Sequence, residues 1–425
     1  MISEELVHFI WQFRFFDQFD LYTQAGEKVS ILDVGLPNSN AGPDFLYARL
    51  RIAEQEWHGH VEIHVDAKDW VRHSHHEDSA YNNVVLHVVW NGYGLFLRED
   101  GTSIPTLQIG ERVDSNLLDK YRALKESKLW IPCQNQLKDV NTLVKTQLLQ
   151  RQLVERLGYK YNLVYDLLNE TAHDWEHVLF ALVCRSFGMK VNAESFMDLG
   201  KILEHVLFRK YQCDLMKLEA MVFGQAGLLH SAHEDSYVKE LRNEYAYLKK
   251  IHKLRELKPI VWRFMRMRPY NFPTFRIAQF VSLYSAKPSL FADVLFAEDI
   301  KTVYSFFEGI NVSSYWSDHF IFGNKTSVHS TRISLPFVDH LLINAFIPTM
   351  FAYGKYIHDT KLQDKAIAWL ETIAAEKNNI TNRFFELGMP IRSSADSQAV
   401  LHLKKHGCDK KRCLECSVGL FLLRN

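Results

Sequence analysis

Trp57-His-Gly-His-Val-Glu-Ile-His-Val65 alternates apolar and polar side chains, with Gly59 as the one gap. Successive side chains of a β-strand point to opposite faces, so the stretch predicts a strand. Trp57, Val61, Ile63 and Val65 share one face, and His58, His60, Glu62 and His64 share the other. At a rise of about 3.3 Å per residue, Glu62 and His64 leave the backbone about 6.6 Å apart. Imidazole and carboxylate bind metals at about 2.0–2.2 Å, so both side chains can converge on one ion. A solvated outer face of an antiparallel sheet would alternate in the same way, though three imidazoles are an unusual choice for one.

Working outward, residues 4–16 carry Leu6, Phe9, Ile10, Phe13 and Phe16 at helical spacing behind Ser3, a residue type that caps helices. Strand-like runs are expected at 28–34, 45–52, 56–65, 83–90, 93–97 and 104–109, separated by Gly, Asn, Asp and Pro. The run from Asn83 to Trp90 is apolar on both faces apart from His87, which predicts a central strand. Beyond Asn141 helical spacing takes over, as in 142–168, 173–188, 214–229, 235–256 and 361–378. The expected architecture is α+β: a mixed α/β sheet domain over 1–112, a connector over 113–140, a larger helical domain over 141–400 and a small Cys-rich zinc knot over 401–425.

Three constellations carry chemistry. Asn38-Ser-Asn-Ala-Gly-Pro-Asp44 is turn-rich and leads into the 45–52 strand. The hairpin formed by that strand and the next would bring Asp44 beside Glu62 or His64. The pattern Pro43-Asp44, a spacer, then Glu62-Ile63-His64 resembles that of the restriction-endonuclease-like nucleases, Pro-Asp followed by (Asp/Glu)-x-Lys. The helix and three strands expected in 4–65 suit the opening of that fold. The resemblance implies that Asp44 and Glu62 hold Mg²⁺ and that the third residue orients or activates the attacking water. Here His64 stands where that family has lysine, which favours a softer ion such as Mn²⁺ or Zn²⁺.

The second constellation is Asp69-Trp-Val-Arg-His73-Ser-His75-His76-Glu-Asp78, followed by Tyr81. His75, Asp78 and the strand residue His87 are accessory candidates for ligation or proton transfer; a hydrogen-bonded core histidine is the plainer role for His87. The third is His406-Gly-Cys408-Asp-Lys-Lys-Arg-Cys413-Leu-Glu-Cys416. Three thiolates and one imidazole complete a tetrahedral zinc site. An iron–sulfur cluster would want a fourth cysteine, and none follows Cys416; Cys133, Cys184 and Cys213 are scattered and read as core residues.

Ala41-Gly-Pro-Asp-Phe45, Gly59-His-Val-Glu-Ile-His64, Glu219 through Leu229, Arg268-Pro-Tyr-Asn-Phe-Pro273 and Cys408 through Cys416 together resemble a bacterial family catalogued as a domain of unknown function. The resemblance spans nearly the whole chain. It implies one protein type of about this length and brings no activity with it.

Composition bounds the partners. Lysine plus arginine, 50, equals aspartate plus glutamate, 50, so net charge gives no push toward nucleic acid. The distribution does: Lys249, Lys250, Lys253, Arg255, Lys258, Arg263, Arg266, Arg268 and Arg276 face one acid, Glu256, across 28 positions. Arg263, Arg266, Arg268 and Arg276 are therefore candidate contacts to DNA or RNA. No apolar run in the sequence approaches the ~20 residues of a membrane span, the start Met-Ile-Ser-Glu-Glu is unlike a signal peptide, and six cysteines make no disulfide scaffold. A cytoplasmic location is expected. No Gly-rich phosphate loop stands in the right context. The expected function is a metal-dependent hydrolase, most specifically a nuclease-like phosphodiesterase using Mg²⁺ or Mn²⁺ at Asp44, Glu62 and His64; the alternative is a non-catalytic scaffold with a structural zinc.

Overall fold

The computed structural model describes residues 2–212, 214–230, 235–257 and 262–425. Lys258 of the basic stretch and Cys213 lie outside them. The chain divides into two compact units, one made of 1–148, 387–389 and 403–425, the other of 149–386 and 390–402. The segment expected as a connector and the Cys-rich tail thus both belong to the sheet unit. The fold is α+β.

In the sheet unit, α1 (Glu4–Gln12) begins where the Ser3 side chain accepts the Leu6 amide at 3.3 Å, with Glu4 and Glu5 in its first turn. Seven strands follow: β1 (Leu21–Tyr22), β2 (Lys28–Asp33), β3 (Leu36–Pro37), β4 (Phe45–Ile52), β5 (Gln55–Asp66), β6 (Val84–Asn91) and β7 (Thr106–Gln108). Their order is β1-β2-β4-β5-β6-β7, with β3 paired to β4. Pairing is antiparallel up to β5, and β5–β6 and β6–β7 are parallel. A parallel neighbour requires a crossover, and residues 67–83 supply it through the short helix α2 (Asp69–Arg72) and two 3₁₀ turns. Residues 93–97, expected as a strand, form no ladder beyond a bridge from Leu97 to Ser103.

Both faces of the sheet are covered. Val61 and Ile63 of β5 and Leu86 and Val88 of β6 pack with Leu6, Phe9, Ile10 and Trp11 of α1 in one core. On the other side Ala67, Trp70 and Tyr81 of the crossover pack with Val84 and Val89. The second half of β5 is therefore no solvated outer face: Val61 through His64 are all buried, whereas His58 is exposed. Gly59 reads as more than a gap, because a Cβ there would stand 2.5 Å from the Asn83 carbonyl. The site strand meets the end of the crossover at that point, and only glycine allows it.

Asp114 caps α3 (Ser115–Glu126), and the helix Ser417–Arg424 packs in the same unit. The second unit is built of helices: α4 (Thr142–Glu170) enters it, followed by α5 (Trp175–Phe187), α6 (Ala193–Ile202), α7 (His205–Lys210) and α8 (Leu215–Gln225), and further helices up to His402. The helical run Leu335–Tyr356 is 22 residues long and apolar enough to cross a membrane, a length the sequence reading underrated; 72% of its most apolar window is buried inside the protein. A five-residue π-helical stretch, Leu342–Phe346, interrupts it.

Candidate functional site

The turn before β4 fixes Asp44. Asn38 Nδ2 donates to the Pro43 carbonyl at 3.0 Å, the Asn38 amide donates to the Asp44 carbonyl at 2.8 Å, and Gly42 takes a φ of 102°. Asp44 and β5 then clamp each other. The Asp44 amide donates to Glu62 Oε2 at 3.1 Å, and the Ile63 amide donates to Asp44 Oδ2 at 2.9 Å. A bulge between Phe45 and Ala48, with Tyr47 at a φ of 58°, re-aims this end of β4. The hairpin therefore joins Asp44 to Glu62, one of the two partners expected. It also brings in His8 of α1, whose Nε2 lies 3.2 Å from Asp44 Oδ2.

Glu62 faces imidazoles on its other side. Its Oε1 is 3.2 Å from His75 Nε2 and 3.6 Å from His64 Nε2. His64 Nδ1 meets His87 Nε2 at 2.9 Å, which aims the opposite nitrogen of His64 at Glu62. His75 is held by its ring, stacked on Tyr81 with centroids 3.9 Å apart and edge-on to Trp70. His73, two residues away across the left-handed Ser74, completes the group. One ligand atom from each of His64, His73 and His75 lies within 4.8 Å of the others. His64 Nε2 and His75 Nε2 are buried and make no hydrogen bond. His73 is exposed and opens the group to solvent.

Electrostatics match this geometry. Burial, reinforced by the charge of Asp44, pushes the Glu62 carboxyl up to about 9. Burial and then the neighbouring His87, His75 and His73 push His64 down to about 3, and burial does the same to His87. His8 moves up: burial opposes its charge, but the bond to Asp44 and that carboxylate's charge outweigh it. Neutral imidazoles and a crowded acid are the state that a divalent cation would relieve, since an ion's own charge inverts the local preferences.

Other expected residues lie elsewhere. Asp78 accepts the Ala80 amide at 2.9 Å and caps a 3₁₀ turn, so it serves the turn. His60 Nδ1 accepts the Tyr47 amide, and His58 lies exposed beside Glu56. In the helical unit Arg263, Arg266 and Arg268 are exposed. Arg276 is not a surface contact: it is 7% exposed, donates to Gln279 and Asn271, and lies 3.6 Å over the Phe337 ring. Lys249 is paired with Glu256 at 2.7 Å.

At the tail, Cys408, Cys413 and Cys416 line one cavity together with Cys133, which the sequence placed in the core. His406 is outside its wall. Burial, with the charges of Cys416 and Cys413, pushes the Cys133 thiol up to about 12.

A family model described as "Protein of unknown function (DUF2851)" matches residues 4–379. The chain belongs to that family. No curated protein and no solved structure matches it. The match ends before the last cysteines, and it contains Asp44, Glu62 and all the clustered histidines. His73 and His8 are the site residues that sequence reasoning passed over. The His73-x-His75 spacing was the available signal for the first, and nothing in an amphipathic helix marks the second.

Proposed function

We propose that the sheet unit is a metal-dependent hydrolase, with a phosphodiester as the favoured substrate. The observation that carries the reading is the pair of buried, unbonded nitrogens, His64 Nε2 and His75 Nε2, turned toward Glu62 Oε1 beside His73. Buried polar atoms ordinarily find partners, and an ion satisfies both nitrogens at once. His64, His73, His75 and Glu62 would hold it. An imidazole-rich set suits Zn²⁺ or Mn²⁺ better than Mg²⁺. When bound, such an ion lowers the pKa of a coordinated water and polarises a phosphoryl oxygen. Asp44 positions Glu62 through the reciprocal amide bonds, and the His8–Asp44 pair offers a proton relay at the edge of the site. The exposed Arg263, Arg266 and Arg268 supply contacts for DNA or RNA.

Burial favours a second reading. Glu62 and His64 are 4% and 0% exposed, as suits a metal that staples the crossover to the sheet in a non-catalytic binding protein. Metal analysis followed by phosphodiesterase assay with Mn²⁺, Zn²⁺ and Mg²⁺ separates the two. The hydrolase reading expects activity that Glu62→Gln and Asp44→Asn abolish in folded protein. His64→Lys restores the residue of the restriction-endonuclease-like pattern; if His64 is a ligand, that change also abolishes activity. Metal-loaded wild-type protein that cleaves no phosphodiester leaves the staple.

A further inference from the structure

The tail gathers a set of cysteines that differs from the zinc knot that the sequence suggests. Cys133 follows Ile131-Pro132 after α3, and the single Pro132 is all that marks it. In the fold it lines the same cavity as Cys408, Cys413 and Cys416. The rest of the wall includes Leu124, Pro132, Leu403 and two glycines, Gly407 and Gly419. A Cβ on Gly419 would run into the Cys413 carbonyl, so glycine is what lets the last helix close over the cysteine turn. None of the four cysteines is in a disulfide.

The four thiols are the metal-binding side chains that this wall brings together. The cavity measures about 30 Å³, more than the about 10–15 Å³ that one water-sized body needs. The order of the ligands along the chain points to the metal: Cys408-x4-Cys413-x2-Cys416 with one distant cysteine is a spacing known to hold iron–sulfur clusters.

We propose that Cys133, Cys408, Cys413 and Cys416 bind an iron–sulfur cluster and that His406 is not a ligand. Each thiol gives up its proton to solvent as it binds iron, and the cluster acts as a staple without a change of oxidation state. The proposal is independent of the histidine site.

The test is anaerobic purification of the full chain, reconstitution with a mixture of ferrous and ferric iron and sulfide, so that no outside oxidant is needed, and assay of iron, acid-labile sulfide and zinc. The expected result is equimolar iron and sulfide, about two or four of each per chain, with charge-transfer absorption in the visible. Cys133→Ser should lose at least nine-tenths of that iron, while His406→Ala and Cys184→Ser retain it. One zinc per chain with no iron after reconstitution would overturn the proposal. So would full iron retention in Cys133→Ser, or loss of iron in His406→Ala. The wild-type stoichiometry and spectrum decide the matter even where Cys133→Ser fails to fold.

Discussion

His87 touches none of the groups that would bind substrate, yet it fixes how His64 presents itself. Its Nε2 meets His64 Nδ1 at 2.9 Å within a fully buried pair. Partners of this kind orient a ligand imidazole, and losing one typically lowers metal affinity about 10–100-fold. His87→Ala should therefore weaken metal retention by about that factor, read as a shift in a competition titration with a chelator, and it should also reduce stability by opening a cavity. His87→Gln keeps a hydrogen-bonding side chain and should recover part of the affinity. If affinity is unchanged in both variants, His64 is not a ligand. At this scale the sequence was informative where neighbours in space are neighbours along a hairpin. Asp44 and Glu62 could be paired in advance because β4 and β5 are joined by a two-residue turn. Cys133 could not, because 275 positions separate it from Cys408 and loop closure leaves no mark on local spacing.

Elements that bury a charge carry a pH signature, and α8 is the clearest case. Glu219 is fully buried, accepts from Tyr237 Oη at 2.8 Å, and lies beside Trp316 and Ser313. Burial raises its carboxyl from 4.5 to about 7, and those hydrogen bonds only partly offset the rise. The folded chain then keeps a proton that the unfolded chain has lost, so this carboxyl's contribution to stability declines as pH climbs from about 4.5 to about 7 and levels off above. At about 1.36 kcal/mol per pKa unit, the decline is of order 3 kcal/mol. Denaturation at pH 5 and pH 8 should show it as a difference between wild type and Glu219→Gln, whose stability should fall less over that range while the Tyr237 bond is kept. The strands were readable because β5 and β6 declare themselves, one by alternation and the other by a continuous apolar run. Helix ends are harder to read: α6 stops at Ile202 and α7 starts at His205, with Leu203 extended between them and no Gly or Pro there to mark the break. The helical run Leu335–Tyr356 escaped notice because helical spacing is invisible in a segment apolar on every side.

For the molecule as a whole, the basic stretch and the tail make separate claims. Arg263, Arg266 and Arg268 are exposed where Arg276 is not. If they contact duplex DNA, replacing all three with alanine should reduce the slope of log affinity against log salt by about 3, at about 0.9 per phosphate contact. Unchanged binding would take them out of the interface. The sheet unit also draws on three separate stretches of chain. If the four cysteines hold the proposed cluster, stripping it should expose 403–425 to protease before the rest of that unit. Limited proteolysis with and without chelator, followed by mass analysis of fragments, checks this; identical digestion patterns would count against a staple. The discontinuity has a consequence for synthesis. At about 5–20 residues per second, the ribosome adds Cys408 roughly 14–55 s after Cys133, while His8 through His87 are made within one short burst. An ion at the proposed histidine site could therefore be taken up while the chain is still being made. The proposed cluster has to wait until Cys416 has been added, so the two sites would load in a fixed order.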